Sequence, residues 1–233
     1  MPQHDVKLGD VEDLASRFAA KHLDPYVARV RASGRNFHRK EINDALWGTI
    51  GLTPAEVVLL DSPLLQRLRY VRQLGVVHWV YPGAGHTRFE HTIGVLFQVQ
   101  HLMTALNAQA ATTSAPSGPL IDTGVMQLMR LCALMHDVGH PAFSHVSEMA
   151  VEGLPEVSPL SAAFSAQVRV EKRQLSEIFA YYVVRSRSMR DLLELLLDRC
   201  SLAVSLDADR GRNLDLLIEK ISDAAMSRSL LNA

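Results

Sequence analysis

The sequence predicts an all-α fold, a helical bundle with a small hairpin near residues 43–53. Two observations carry that prediction: apolar residues recur at helical spacing through most of the chain, and alternating strand patterns are scarce. A third bounds it. With 233 residues, 48% of them hydrophobic and 21% charged, the chain can build one substantial core. One domain over residues 41–233 is expected, preceded by an N-terminal helical extension over residues 1–40.

The first helical stripe runs through Val11, Leu14, Phe18 and Leu23. The segment from Asn43 to Thr53 is short and tolerant of strand geometry, and Thr53-Pro54 marks the start of the next helix. From Leu59 to Leu74, Leu60, Leu64, Leu68 and Val71 form one face of a helix that Gly75 can stop. Tyr81 to His86 is rich in turn residues, and helical spacing resumes at Arg88 through Ile93, Phe97, Leu102 and Leu106. Residues 107–124 read as an exposed connection, followed by an apolar helix from Met126 to Met135. A second soft stretch, Gly153 to Ser165, precedes helices at Glu177 to Val184, Leu192 to Leu197 and Leu214 to Leu231.

Charge and composition narrow the function classes. Lysine plus arginine is 24 against 25 for aspartate plus glutamate, so nothing global favours a nucleic acid or an anionic membrane, and anion specificity must be local. Cys132 and Cys200 lie in leucine-rich runs without paired spacing, which suggests neither a disulfide framework nor a cysteine zinc site. The first residues lack a basic region followed by an apolar stretch, and no apolar run is long enough for a membrane helix, so a soluble cytoplasmic chain is expected.

The chemistry concentrates at Leu134-Met135-His136-Asp137-Val138-Gly139-His140-Pro141, where an apolar helix ends in ionisable side chains. Adjacent imidazole and carboxylate suit a divalent ion. Taken alone, the same pair reads more simply as complementing a helix C-terminus and bonding nearby amides. Upstream, Arg88-Phe89-Glu90-His91-Thr92 places another histidine at a helix start after a glycine-rich turn.

This arrangement resembles the HD superfamily, and three longer runs resemble its deoxynucleoside triphosphate triphosphohydrolase branch. They are Gln66 to Gly75, Tyr81 to His91 and His136 to His145, in matching order and spacing. The resemblance implies metal ligands at His91, His136 and Asp137, with Asp209 as the fourth; Asp207, two residues away, would point elsewhere on a helix. The ion would be Mn, Mg, Fe or Zn. His140 matches the catalytic histidine and Glu148 its acidic partner; alone, His140 could be a satisfied loop residue. His145 and Arg88 match phosphate contacts, although Arg88 could instead clamp Glu90. Gln73 and Leu74 match positions that read the sugar, against the plainer reading of Gln73 as an exposed helix residue. Asp61, Gln66 and Arg69 match a site for an activating guanine nucleotide at a subunit interface, or simply a solvated helix face with an Asp61 cap.

The pattern also departs from the family. Where a catalytic His-Glu pair is expected, the chain reads Arg169-Val170-Glu171-Lys172-Arg173-Gln174, and Leu214-Asp215-Leu216 stands in place of a run with a substrate-stacking tyrosine. The C-terminal portion of larger members is not in this sequence. The resemblance implies a dNTP hydrolase releasing triphosphate and acting as a homo-oligomer. The alternatives are a monophosphatase or phosphodiesterase on the same ligands, or a non-catalytic nucleotide- or nucleic-acid-binding module.

Overall fold

The computed structural model describes residues 6–34, 36–113, 119–200, 202 and 210–225. Within them the chain is helical apart from one two-stranded hairpin. The first helix, α1 (Leu8–Ala32), buries Ala15, Ala19, Leu23, Val27 and Val30 along one stripe, spaced three or four residues apart as an amphipathic helix requires. It packs on α8 (Leu175–Arg185) and α9 (Arg187–Arg199), and its stripe belongs to the same core cluster as theirs.

Strands β1 (Lys40–Asp44) and β2 (Gly48–Leu52) pair antiparallel with Ile42 opposite Ile50. Asp44 Oδ1 accepts from the amides of Leu46 and Trp47 at 2.8 and 3.0 Å, closing the turn. Trp47 then stacks on Phe97 of α4 (Arg88–Thr113), with ring centroids 5.5 Å apart. Helix α2 (Pro54–Leu60) begins at Pro54 as predicted, held by a capping box between Thr53 and Glu56.

The single helix expected from Leu59 to Leu74 is instead broken. Ser62 is extended (ψ 144), as the residue before Pro63 must be, and a new turn, α3 (Pro63–Gln66), starts there and tightens into a 3-10 turn at Arg67–Tyr70. Leu60, Leu64, Leu68 and Val71 remain buried, so the periodicity survived while the rod did not. Residues 71–73 then run antiparallel to 86–88, with Arg88 N donating to Val71 O at 2.8 Å and Gln73 N to His86 O at 3.1 Å. This pairing sets Gln73 beside the start of α4.

Helix α4 packs against α5 (Thr123–Met135), and both extend into the stretch 107–124 read as a connection, so the loop between them is shorter than expected. After α6 (His145–Glu152), α7 (Leu160–Val168) begins inside the stretch read as soft; Leu160 and Phe164 are buried on it, and its small serine and alanine residues masked that signal. Helix α10 (Arg210–Ala225) packs on α5 and α8. No helix among the described residues is long and apolar enough to cross a membrane.

Candidate metal centre

Two helix ends meet at one point. His91 lies on the first turn of α4 and His136 caps the C-terminus of α5, so the packing of these two helices brings the imidazoles together. Their Nε2 atoms are 3.3 Å apart. Asp137 presents Oδ2 at 3.8 Å from His91 Nε2 and Oδ1 at 3.5 Å from His136 Nε2. The three residues form a group whose donor atoms could share one ion.

The donor set fits a divalent metal. His136 Nδ1 is 2.7 Å from Ala133 O, and a carbonyl only accepts, so the hydrogen sits on Nδ1 and the Nε2 lone pair is left facing His91. At 3.3 Å either a hydrogen from His91 Nε2 or a bridging ion can hold the two nitrogens together. Nitrogens each ~2.1 Å from one ion stand roughly 3–3.4 Å apart, which matches. Burial, helped by the neighbouring His136, Arg88 and His86, holds His91 below its ordinary value against the opposing Asp137, so it too favours the neutral form that ligates.

Asp137 is kept ionised. Burial alone would raise its carboxyl, but the hydrogen bond with His140 and the charges of His136 and Arg88 push it well below the carboxylate range. Arg88, only 1% exposed, donates through Nη1 to Asp137 Oδ2 at 2.6 Å. Its other nitrogens reach Ser144 Oγ, with Nε at 3.0 Å. Glu90, which might have held Arg88, instead accepts from Thr87 N and Oγ1.

A second group, His140, His145 and Glu148, lies alongside. The sequence paired Glu148 with His140; in the structure Glu148 Oε2 is 2.9 Å from His145 Nδ1, while Oε1 accepts from Ser176 N at 2.7 Å. Burial would raise Glu148, yet the bonds from Ser176 and His145 hold it down. His140 turns Nε2 toward Asp137 Oδ1 at 3.4 Å, and burial lowers it from 6.5 despite that neighbour. Arg88 Nη2 lies 3.4 Å from His145 Nε2, joining the two groups.

The remaining predicted residues sit around this centre. Gln73 is half-buried with its side-chain oxygen buried and unpaired, and Leu74 is exposed beside it. Asp61 pairs with Lys40 at 2.6 Å, Gln66 donates to Leu60 O, and Arg69 bonds Gln66 and stacks over Phe89 at 3.6 Å. Asp207 and Asp209 lie outside the described residues.

Three residues that sequence reasoning passed over hold the centre in place. Ser144, at the N-cap of α6, is buried at φ 54, ψ −137, a region costly for any side chain, and passes a hydrogen bond from its Oγ to Gln73 O at 3.0 Å. Arg67 donates to the carbonyls of His140 (2.9 Å) and Val138, gripping the loop from behind. Gly139 lies so close to α8 that a Cβ there would stand 1.9 Å from Ser176 O. All three fall inside the motif runs Gln66 to Gly75 and His136 to His145, which gave none of them a role of its own.

The profile of the HD domain matches residues 88–203. Deoxynucleoside triphosphate triphosphohydrolase SAMHD1 of Xenopus laevis is 41% identical over 107 residues, 46% of this chain and 16% of that protein. SAMHD1 of Danio rerio is 39% identical over 143 residues, 61% of this chain and 21% of that protein. Uncharacterized protein MJ1154 of Methanocaldococcus jannaschii is 37% identical over 110 residues, 47% of this chain and 21% of that protein. The matched region thus spans about a fifth of these relatives' own length. With the His91, His136 and Asp137 cluster assembled at the meeting of α4 and α5, and the profile and relatives falling on that region, the chain belongs to the HD-domain family.

Proposed function

We propose that the chain is a divalent-metal-dependent phosphohydrolase acting on nucleotides, with hydrolysis of a dNTP to deoxynucleoside and triphosphate as its reaction. The observation that carries this reading is the pair of adjacent groups: a ligand trio at His91, His136 and Asp137, beside a proton-handling group at His140, His145 and Glu148. The names of the SAMHD1 relatives support the substrate class. A bound Mn, Mg, Fe or Zn ion would neutralise phosphate charge and acidify water; His91, His136 and Asp137 would hold it, with Asp209 proposed as the fourth ligand.

In the proposed reaction water adds to the α-phosphorus, the bond to the 5′ oxygen breaks, and that oxygen leaves with a proton. His140 is mostly neutral above its lowered value; with its Nε2 hydrogen turned to Asp137 Oδ1, the nitrogen with a lone pair to take a proton is Nδ1. Glu148 fixes His145 with hydrogen on Nδ1, leaving Nε2 to receive one. Gln73 and Leu74 are proposed to meet the sugar. His145 and Arg88 are proposed to meet phosphate, and Arg88 would exchange its bonds to Ser144 to do so. A homo-oligomer with an activating guanine nucleotide at Asp61, Gln66 and Arg69, and a cytoplasmic location, complete the reading.

The test is turnover of purified protein with Mn or Mg on panels of dNTPs, NTPs, monophosphates and cyclic dinucleotides, with products separated by chromatography. Triphosphate release supports the proposal. Orthophosphate or ring opening replaces it with a monophosphatase or phosphodiesterase, and binding without turnover replaces it with a nucleotide-binding module. Light scattering with and without GTP checks the oligomer.

A further inference from the structure

Behind the His136-Asp137 loop lies a cavity of about 550 Å³ that neither Arg88, His145 nor any of the three metal-side residues lines. This volume falls within the ~300–1,000 Å³ typical of small-molecule sites. Its walls are apolar: Leu14 and Phe18 of α1, Leu160 of α7 and Phe179 of α8. Polar groups gather where Arg67 and His140 border it.

Arg67 carries the argument. His140, 8% exposed, aims its Nε2 hydrogen at Asp137, which leaves Nδ1 a buried lone pair that calls for a donor and not for an anion. Arg67 Nε is likewise buried and unpaired. Its outer nitrogens are spent on two neutral carbonyls, and its guanidinium lies over the Phe18 ring at 5.0 Å. No carboxylate among the described residues lies within ion-pair distance of it. Glu148 borders the cavity, but its oxygens already serve Ser176 N and His145. A buried cation without a counter-charge is costly, and burial already pushes Arg67 down to about 10. Beside it the cavity is walled mainly by apolar side chains.

We propose that this cavity binds an amphiphilic monoanion, a medium-chain carboxylate in chemical class. Its chain lies between α1 and α8 along Leu14, Phe18 and Phe179, and its carboxylate sits at the end that Arg67 borders, where a small turn of the guanidinium would bring Nε to it. The site goes beyond the proposed hydrolysis, and its test needs neither metal nor turnover.

Decanoate is titrated into the full chain in chelating buffer by calorimetry, with decanol as the neutral-headed control. Saturable 1:1 binding of decanoate is expected, about tenfold or more tighter than decanol, the difference a charge-assisted hydrogen bond supplies. Leu14→Glu, at a position 53% exposed, sets a negative charge on the rim and is expected to weaken decanoate by about tenfold or more. Val151→Glu, 43% exposed on α6, serves as the second rim variant should the first fail to fold. Absent binding, equal affinity for decanol, or undiminished binding in both folded variants overturns the proposal. So does displacement of decanoate by a deoxynucleoside, which would make the cavity part of the nucleotide site.

Discussion

Two buried arginine–carboxylate pairs sit in this molecule and do different work. Arg130 meets Glu56 through two contacts, Nε to Oε1 at 2.6 Å and Nη2 to Oε2 at 2.7 Å, and also donates to Gly51 O and Gln100 Oε1. Glu56 meanwhile closes the capping box of α2. That pair ties β2, α2, α4 and α5 together. Arg88 meets Asp137 through one contact at 2.6 Å and gives its remaining nitrogens to Ser144 and the edge of His145. The other carboxylate oxygen stays turned toward His136 and His140. A pair whose polar groups are all engaged serves as a staple; one that leaves an oxygen open holds a ligand in position.

The largest effect should come from breaking the staple. Arg130→Met leaves Glu56 buried without its counter-charge and is expected to cost about 3–5 kcal/mol in urea denaturation. Metal bound per folded molecule should stay at the wild-type level. A loss of metal without a loss of stability would erase the distinction between the two pairs.

At the second pair the order reverses. Asp137→Asn keeps an oxygen for Arg88 but removes ligand charge, so bound metal should fall by at least the ~10–100-fold seen when a ligand's supporting partner is removed. Its stability should fall less than that of Arg130→Met. Asp209→Asn should lose metal as well while Asp207→Asn is milder, read by metal analysis with circular dichroism as the folding control.

Ser144 sharpens the comparison further, because it is both strained and bonded to Arg88. Ser144→Ala keeps the strained φ of 54 and strips the acceptor from a buried guanidinium, at an expected cost of about 1–3 kcal/mol. Ser144→Gly loses the same bond but relieves the backbone, so it should be about 1 kcal/mol more stable than the alanine variant. Equal stabilities would mean that the backbone there stores nothing.

The smallest effect is on acid stability without metal. Burial holds His22, His91 and His140 below 6.5 in the folded chain. As pH falls below 6.5 the unfolded chain takes up protons first, so the stability these groups contribute above that value is lost on acidification. The unfolding free energy from urea titration in chelator should drop between about pH 7.5 and pH 5.5, by about 1 kcal/mol or less. A flat profile would count against neutral buried histidines.

Much of this was legible in the sequence because it depended on local periodicity. The stripes on α1, α4 and α5 and the Thr53-Pro54 helix start were visible as spacing, and the runs around His91 and His136 were visible as motif. The break at Ser62-Pro63 was written there too, but the surrounding leucines kept a helical period across it and hid it. What could not be read was contact between distant segments. Nothing near Arg67 says that its guanidinium reaches the carbonyls of Val138 and His140. Nothing near Glu148 says that it serves His145 and Ser176 before His140. Such partners follow from helix packing, which one chain's local pattern does not encode.

The missing Cβ at Gly139 has a mechanical consequence. Because the loop backbone rests on α8 with no side chain as a cushion, and Glu148 pins the amide of Ser176 at the same end, α8 and the His136-Asp137 loop are geared together. At that contact a movement of α8 toward the loop has no slack to take it up. Because α8 also packs on α1 and α10, those helices hold in place the backing against which the ligand loop rests.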